Sequence, residues 1–374
     1  MKIIRYTIFD SLPDGNGADK RTAQITEVLN DAGIDSIIIK KNESIKIPFI
    51  QVLYRAIPIF SILIQIIPIS CFKNIKSIFK AIRDYIRTEI TLLPALQSDA
   101  TILLWECTRC DNFFVPLIVK KHKKIIIALP HNLESLVPLQ RSSISHKKSP
   151  GWFNEEIRYL SACDKIFCIS KEETLFLKLF NINAFYLPYF PTREIESYFN
   201  NIREKRKTKV STNKKVEKIL MIGSANNQPT RLGMIDRIKF FSSTHSNSVN
   251  LTIAGFYTQT LSEDITIPDN ICVKGSLTLQ QLENELLETE AILIHQSAST
   301  GALTRISEML LAGIPIFLNF ESARNYYNTE GLYVYENDDH LIELLQSDKT
   351  WDIQQPSRPK NEEQIFIKNI KQSI

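Results

Sequence analysis

The chain has 374 residues, of which 44% are hydrophobic and 23% charged, and carries a formal net charge of +4. This length predicts two domains, each long enough to bury its own core. The composition is that of a globular protein, and so small a positive excess does not imply a nucleic-acid partner, so none is expected.

The first 40 residues read as strand, loop, helix and strand. Residues 3–9 are apolar and β-branched, Pro13-Asp14-Gly15-Asn16-Gly17 is a loop, 20–32 has helical composition, and 34–40 supplies the second strand. The opening Met-Lys-Ile-Ile-Arg has no apolar run of signal-peptide length behind it, so a cytoplasmic protein is expected. Residues 56–72 are nearly uncharged, but Pro58, Gln65 and Pro68 interrupt them, and 17 residues is at the short limit of a membrane span. Lys73, Lys76, Lys80, Arg83 and Arg87 follow. The stretch 45–90 therefore reads either as an interfacial segment resting on anionic lipid, a peripheral membrane contact, or as a buried helix followed by a basic surface helix.

Short apolar runs at 100–105, 124–129 and 165–169 have the character of buried parallel strands, and their alternation with helical stretches predicts a doubly wound parallel sheet. Cys107 and Cys110 form the one C-x-x-C of the six cysteines, with no second pair at zinc spacing, so reduced thiols and no metal are expected. Tyr186 to Pro191 ends the first series, and the charged stretch that follows reads as a solvated linker. A second series then begins, with strands expected at 218–222, 250–254, 271–274, 291–294 and 314–318. The expected domains are 1–190 and 218–350, both Rossmann-like, joined by a linker at 191–217 and followed by a tail or helix at 351–374 that could return to the N-terminal domain.

Ligands of such sheets bind beyond the carboxyl ends of the strands, which directs attention to the loops from Pro13, His131, Gly223, His295 and Glu321. With only 11 glycines, where ordinary usage gives about 26, each marks a place where backbone or ligand demands one. Gly15 and Gly17 would let backbone approach a phosphate or sugar, but the third glycine of a dinucleotide fingerprint is missing, and no phosphate-loop motif occurs. His131 and Asn132 offer hydrogen bonds to sugar hydroxyls; capping of the next helix is the structural alternative. Gly223, Ser224, Asn227 and Arg231 precede a helix and combine small and amide groups with a cation suited to phosphate. The run Gly301 to Pro315 reads as a helix that opens on glycine and closes on Gly-x-Pro. Arg305 lies beside its N-terminus, and Glu308 one turn on could grip a hydroxyl-bearing sugar while Arg305 holds a phosphate. An ordinary surface Arg/Glu pair is the bland alternative.

In this order the motifs resemble GT-B nucleotide-sugar glycosyltransferases, in particular the retaining bacterial enzymes called glycosyltransferase group 1 (family 4-like). The glycine loop at 14–17, the strand 164–170 ending in serine, the crossing at 187–191, the donor loop 223–231 and above all Thr304-Arg305-Ile306-Ser307-Glu308 before Ala312-Gly313-Ile314-Pro315 carry the likeness. Thr300 stands eight residues before Glu308, where many of these enzymes have a glutamate. The resemblance implies two doubly wound domains facing across a cleft, a UDP- or GDP-sugar donor, and a glycan, lipid-linked or protein acceptor in surface polysaccharide or glycoconjugate biosynthesis. It further implies no redox cofactor and no required metal. His131 and Arg305 would be the catalytic residues, and Gly15, Gly17, Gly223, Ser224, Asn227, Arg231, His295, Gly301, Thr304 and Glu308 the donor-binding set. A nucleotide-sugar epimerase and a catalytically silent module that binds nucleotide or glycan for a partner are the alternatives.

Overall fold

Two all-parallel six-stranded sheets organise the chain. The computed structural model describes residues 2–41, 44–106, 108–109, 112–209, 215–242, 249–326, 329–347 and 351–373, so Cys107 and Cys110 lie outside the described residues. The first sheet is built from β1 (Lys2–Thr7), α1 (Gly17–Asp31), β2 (Asp35–Lys40), α2 (Phe49–Tyr54), α3 (Ala56–Leu63), α4 (Ile75–Leu96), β3 (Ile102–Trp105), α5 (Val115–Lys121), β4 (Ile125–Ala128), α6 (Phe153–Ser161), β5 (Lys165–Cys168), α7 (Lys171–Leu179) and β6 (Ala184–Tyr186). Its strand order is β2-β1-β3-β4-β5-β6, which reverses direction between β1 and β3. Then come α8 (Arg193–Lys209), β7 (Lys218–Ile222), α9 (Gln228–Phe241), β8 (Asn250–Ala254), β9 (Ile271–Gly275), α10 (Leu279–Glu288), β10 (Ala291–Ile294), α11 (Thr304–Leu311), β11 (Ile316–Asn319), α12 (Phe320–Ala323), β12 (Leu332–Tyr335), α13 (Asp338–Gln346) and α14 (Lys360–Lys371). The second sheet runs β12-β11-β10-β7-β8-β9, with its switch point between β7 and β10.

Period-two alternation along buried strands sends successive side chains into two separate cores. In β7, Leu220 enters the core shared with α8 and α11, whereas Ile219 and Met221 join Met234, Ile238 and Phe241 of α9 on the other face. In the first domain, Leu103 and Trp105 of β3 face Ile82 and Tyr85 of α4, while Ile102 and Leu104 pack with Ile25 and Leu29 of α1. That second face also receives Phe366 and Ile370 of α14, so the C-terminal helix returns to the N-terminal sheet and covers apolar surface that α1 alone leaves open.

Residues 191–217, expected as a solvated linker, are helical through Lys209. Ile195, Phe199 and Ile202 recur at helical spacing among the charges and are buried on the second domain. The helix expected to open at Gly301 begins three residues later, at Thr304 with Leu303 as N-cap, and Gly301 lies in the preceding turn at φ +79°. The edge strands β6 and β12, of three and four residues, are absent from the strands expected from sequence. Among the described residues no helix is long and apolar enough to cross a membrane.

Candidate functional site at the interdomain cleft

The carboxyl edges of the two sheets face one another. On the second domain, Gly223 directly follows β7 at the switch point and Arg305, in the first turn of α11, lies against it. A Cβ on Gly223 would stand 2.8 Å from Nη1 of Arg305 and 3.0 Å from Thr230, so only glycine gives the guanidinium this seat. The Nε of Arg305 is buried without a hydrogen-bond partner among the described residues. Burial first, then repulsion from Arg324, pushes the pKa of Arg305 down to about 10. A cation held this way, beside the unpaired amides of a helix start, is a site for an anion.

The neighbouring loop residues are fixed by hydrogen bonds. Asn227 caps α9 by accepting from the Thr230 amide at 3.2 Å, and Gln296 Nε2 donates to the Thr230 hydroxyl at 2.7 Å. Ser224 accepts from the Asn226 amide. Arg231, expected to meet phosphate, instead has its nitrogens on Asp264 (2.8 Å) and on the hydroxyl and carbonyl of Thr260 (2.8 and 2.9 Å). Its charge is neutralised locally, and Arg305 is the cation that reaches the glycine loop. His295 is likewise engaged within its own domain. Its Nδ1 is 2.6 Å from the Tyr335 hydroxyl and its Nε2 3.3 Å from Asp236, which a neutral ring with its proton on Nε2 satisfies on both sides. Burial, and then Arg237, push its pKa down to about 4.

The N-terminal domain supplies the facing wall. Asp19 folds under Gly15 and accepts from the amides of Asp10 and Asn16, which rigidifies the loop before α1. Gly17 then faces Thr304, whose hydroxyl would lie 3.4 Å from a Cβ there, so the first turns of α1 and α11 meet across the cleft. One turn into α1, Lys20 donates to both oxygens of Glu308 at 2.9 and 2.7 Å, and Tyr189 donates to the same carboxylate at 2.8 Å. His131, after β4, stacks edge-on against Phe9 at 4.9 Å. Burial is the main cause that takes its pKa down to about 3; Arg21 acts in the same direction and a hydrogen bond to the Glu106 backbone opposes it. The imidazole is therefore neutral at physiological pH and offers hydrogen bonding, not a positive charge, to the cleft.

The two walls touch at Gly301. A Cβ there would lie 1.9 Å from the side-chain amide of Asn132 and 2.9 Å from the His131 carbonyl, and the positive φ adds a second demand for glycine. Glu173, at the start of α7, spans the seam by accepting from the amides of Leu133 (2.8 Å) and Gly301 (3.1 Å). Thr300 donates to the Leu133 carbonyl at 3.3 Å, and Arg324 donates to the Thr300 carbonyl at 3.0 Å.

No protein-family model matches the sequence, and no curated protein does. Solved structures do match, over nearly the whole chain. An E. coli trehalose-6-phosphate structure bound with UDP-2-fluoro glucose superimposes with a TM-score of 0.59 at 12% identity, covering 100% of this chain and 96% of that one. Sucrose-phosphate synthase from Thermosynechococcus elongatus gives 0.57 at 10% identity over 92% and 88% of the two chains. WaaG, a glycosyltransferase involved in lipopolysaccharide biosynthesis, gives 0.55 at 11% identity over 99% and 94%. The chain has the GT-B fold.

Within this GT-B cleft the structure brings together Gly17, His131, Gly223, Gly301, Thr304, Arg305 and Glu308 from the sequence-derived set, and turns Arg231 and His295 to partners in their own domain. Lys20, Glu173, Tyr189 and Arg324 belong to the same cleft and were not singled out. Lys20 lies three residues after Gly17 and Glu173 three after the capping Ser170, positions at which a sequence reader expects a solvated charge and a helix cap. Among the described residues no group of three or more His, Cys, Asp or Glu side chains is placed to hold a metal.

Two predictions follow from the seam. Gly301→Ala inserts a methyl group into the Asn132 and His131 contact, so the variant folds but closes poorly, and small-angle scattering gives a larger radius of gyration than the parent; an unchanged radius contradicts the contact. Burial pushes the Glu173 carboxyl up to about 7, against hydrogen bonds from Leu133 and Gly301 and the charge of Arg324. A carboxyl whose pKa is higher folded than unfolded contributes stability below its ordinary value near 4.5 and loses it as pH rises through 7, here about 3 kcal/mol. Glu156, pushed up to about 8 by burial, contributes with the same sign. Denaturation of Glu173→Gln between pH 4.5 and 8 should show a shallower fall in stability than the parent, and parallel profiles would contradict the assignment.

Proposed function

We propose that the chain is a cytoplasmic glycosyltransferase, moving a sugar from a UDP- or GDP-sugar to a glycan, lipid-linked or protein acceptor in surface polysaccharide or glycoconjugate biosynthesis. The observation that carries this reading is the half-buried guanidinium of Arg305 over Gly223, whose Nε is buried without a hydrogen-bond partner among the described residues. A partly desolvated cation of this kind favours an anion beside it, and the diphosphate of a nucleotide sugar would supply one. The three GT-B neighbours support the same reading, one of them holding UDP-2-fluoro glucose.

In the proposed reaction the bond between the donor's anomeric carbon and the diphosphate oxygen breaks, the acceptor hydroxyl oxygen bonds that carbon, and the hydroxyl proton passes to the departing diphosphate. Arg305 and the α11 amides stabilise the negative charge that collects on the departing nucleoside diphosphate. Glu308 accepts from ribose hydroxyls. Neutral His131, on the opposite wall, hydrogen-bonds a donor-sugar hydroxyl and keeps the ring oriented as positive charge develops at the anomeric carbon. Closure at the Gly301 seam keeps water from the reacting carbon and favours transfer over hydrolysis. We assign retention of configuration as the stereochemical course, and no metal or redox cofactor takes part in the proposed chemistry.

We infer a peripheral membrane contact through residues 45–90. Ile50, Tyr54 and Ile57 on α2 and α3 are 72%, 90% and 85% exposed, and Phe49, itself exposed, meets Phe79 of α4 at 6.2 Å. Lys76, Lys80 and Arg83 share the exposed side of α4 beside Phe79. Apolar side chains of this size flanked by cations, each worth about 1 kcal/mol at an anionic surface, match a bilayer interface.

Incubation with nucleotide sugars and an acceptor extract should release nucleoside diphosphate. Arg305→Met should lower kcat/KM about 10²–10³-fold, and His131→Ala should reduce turnover while sparing donor binding. Parental turnover in both variants would place the site elsewhere. For the membrane face, the parent should sediment with vesicles of phosphatidylcholine and phosphatidylglycerol, and Ile50→Asp/Tyr54→Asp should stay in solution. A parent that ignores such vesicles contradicts the inference.

A further inference from the structure

The bond between Lys20 and Glu308 is hard to explain as a simple clasp. It joins the first turn of α1 to α11 across the cleft, the Glu308 side chain is 3% exposed and that of Lys20 18%, and Lys20 meets both carboxylate oxygens. Arg305, on the preceding turn of the same helix, has no such partner among the described residues. Lys20 from one wall and Arg305 from the other thus stand near the first turns of α1 and α11, with Glu308 engaged by Lys20 and the Nε of Arg305 lacking an acceptor among the described residues. A ligand with more than one negative charge could meet both cations.

Tyr189 also donates to the carboxylate, so three of its roughly four acceptor positions are taken and a diol bringing two donors needs one of those that Lys20 holds. A ligand that brings a vicinal diol to Glu308 must displace the ammonium group. Lys20, largely but not fully buried, then favours a new anion, because a charge parted from its partner keeps part of its desolvation cost. A four-carbon stem with free rotation lets Nζ swing from Glu308 toward the start of α11, where Gly17 faces Thr304 and Arg305 lies in the first turn.

We propose that Lys20 is a donor-binding cation delivered by the N-terminal domain: it rests on Glu308 until ribose hydroxyls take that carboxylate, and then pairs with the diphosphate. This rests on the donor-site reading of Arg305 and Glu308 and adds to it the partner exchange. The exchange couples the nucleoside half of the donor to the phosphate half, so a molecule with a ribose but no phosphate frees Lys20 without giving it a new partner and binds poorly. It also makes domain closure depend on the diphosphate, because Lys20 belongs to one domain and Arg305 to the other.

The test is calorimetric titration of the full chain with UDP, GDP, ADP and TDP and with the corresponding nucleosides. Lys20→Gln keeps a hydrogen-bond donor for Glu308 but removes the charge, and Lys20→Arg keeps the charge. For the diphosphate that the parent binds, Lys20→Gln should weaken affinity about tenfold and leave the nucleoside unweakened, and Lys20→Arg should recover most of the loss. Lys20→Met, which frees Glu308 entirely, should weaken the diphosphate and tighten the nucleoside. Diphosphate binding that is unchanged or tighter in Lys20→Gln and Lys20→Met overturns the proposal and makes Lys20 a lock on Glu308 alone. A parent that binds none of the four diphosphates overturns the donor-site reading itself, and the partner exchange with it.

Discussion

The cleft is organised by one electrostatic fact: the guanidinium of Arg305 is seated on Gly223 with its Nε buried and without a protein acceptor among the described residues. Several costly features of the second domain exist to permit this seat. Gly223 must lack a side chain. Gly255 must lack one too, because a Cβ at its φ of +130° would lie 2.0 Å from the Gly223 carbonyl. Asn227, Thr230, Gln296 and Asn319 form a hydrogen-bonded lattice that fixes the loops on either side, with the Asn319 amide donating to the Gln296 carbonyl at 2.8 Å. A rigid wall of this kind holds a charge in place before any ligand arrives, which is how a preorganised site avoids reorganisation during reaction.

The opposite wall is joined to it by polar and small contacts more than by an apolar interface. Lys20 with Glu308, Glu173 with the Gly301 amide, and Ser170 with Asn325 at 2.6 Å are bonds that can be made and broken without exposing a core. Interfaces of that composition allow domains to move. The chain crossing is fixed more firmly. Arg21, buried in α1, donates to the carbonyls of Leu187 at 2.6 Å and Pro188 at 3.0 Å, and α14 packs Phe366 and Ile370 into the first domain. Motion about these anchors would open the seam at Gly301 while leaving both cores intact.

The strands were legible in the sequence because a parallel strand buried on both faces is a short, nearly continuous apolar run, and the paired sheets follow from the two βα series. The helix start at Thr304 was not, because a glycine before an apolar-periodic segment marks a cap and a left-handed turn equally well, and here the turn prevails. The linker was misread because Ile195, Phe199 and Ile202 are few among many charges, although their spacing is helical. Arg231 and His295 show the limit for single side chains: sequence places them in the right loops, but Asp264, Thr260, Asp236 and Tyr335, which claim them, lie 29 to 59 residues away. Lys20 and Glu308 are 288 residues apart, and only the closed cleft brings them together.

The most direct measurement is a crystal structure of the chain with a bound nucleoside diphosphate. A diphosphate over Gly223 within hydrogen-bond distance of the Arg305 guanidinium, with the ribose on Glu308, is the result the account predicts. A nucleotide bound elsewhere, with Arg305 still lacking an anion, would contradict it.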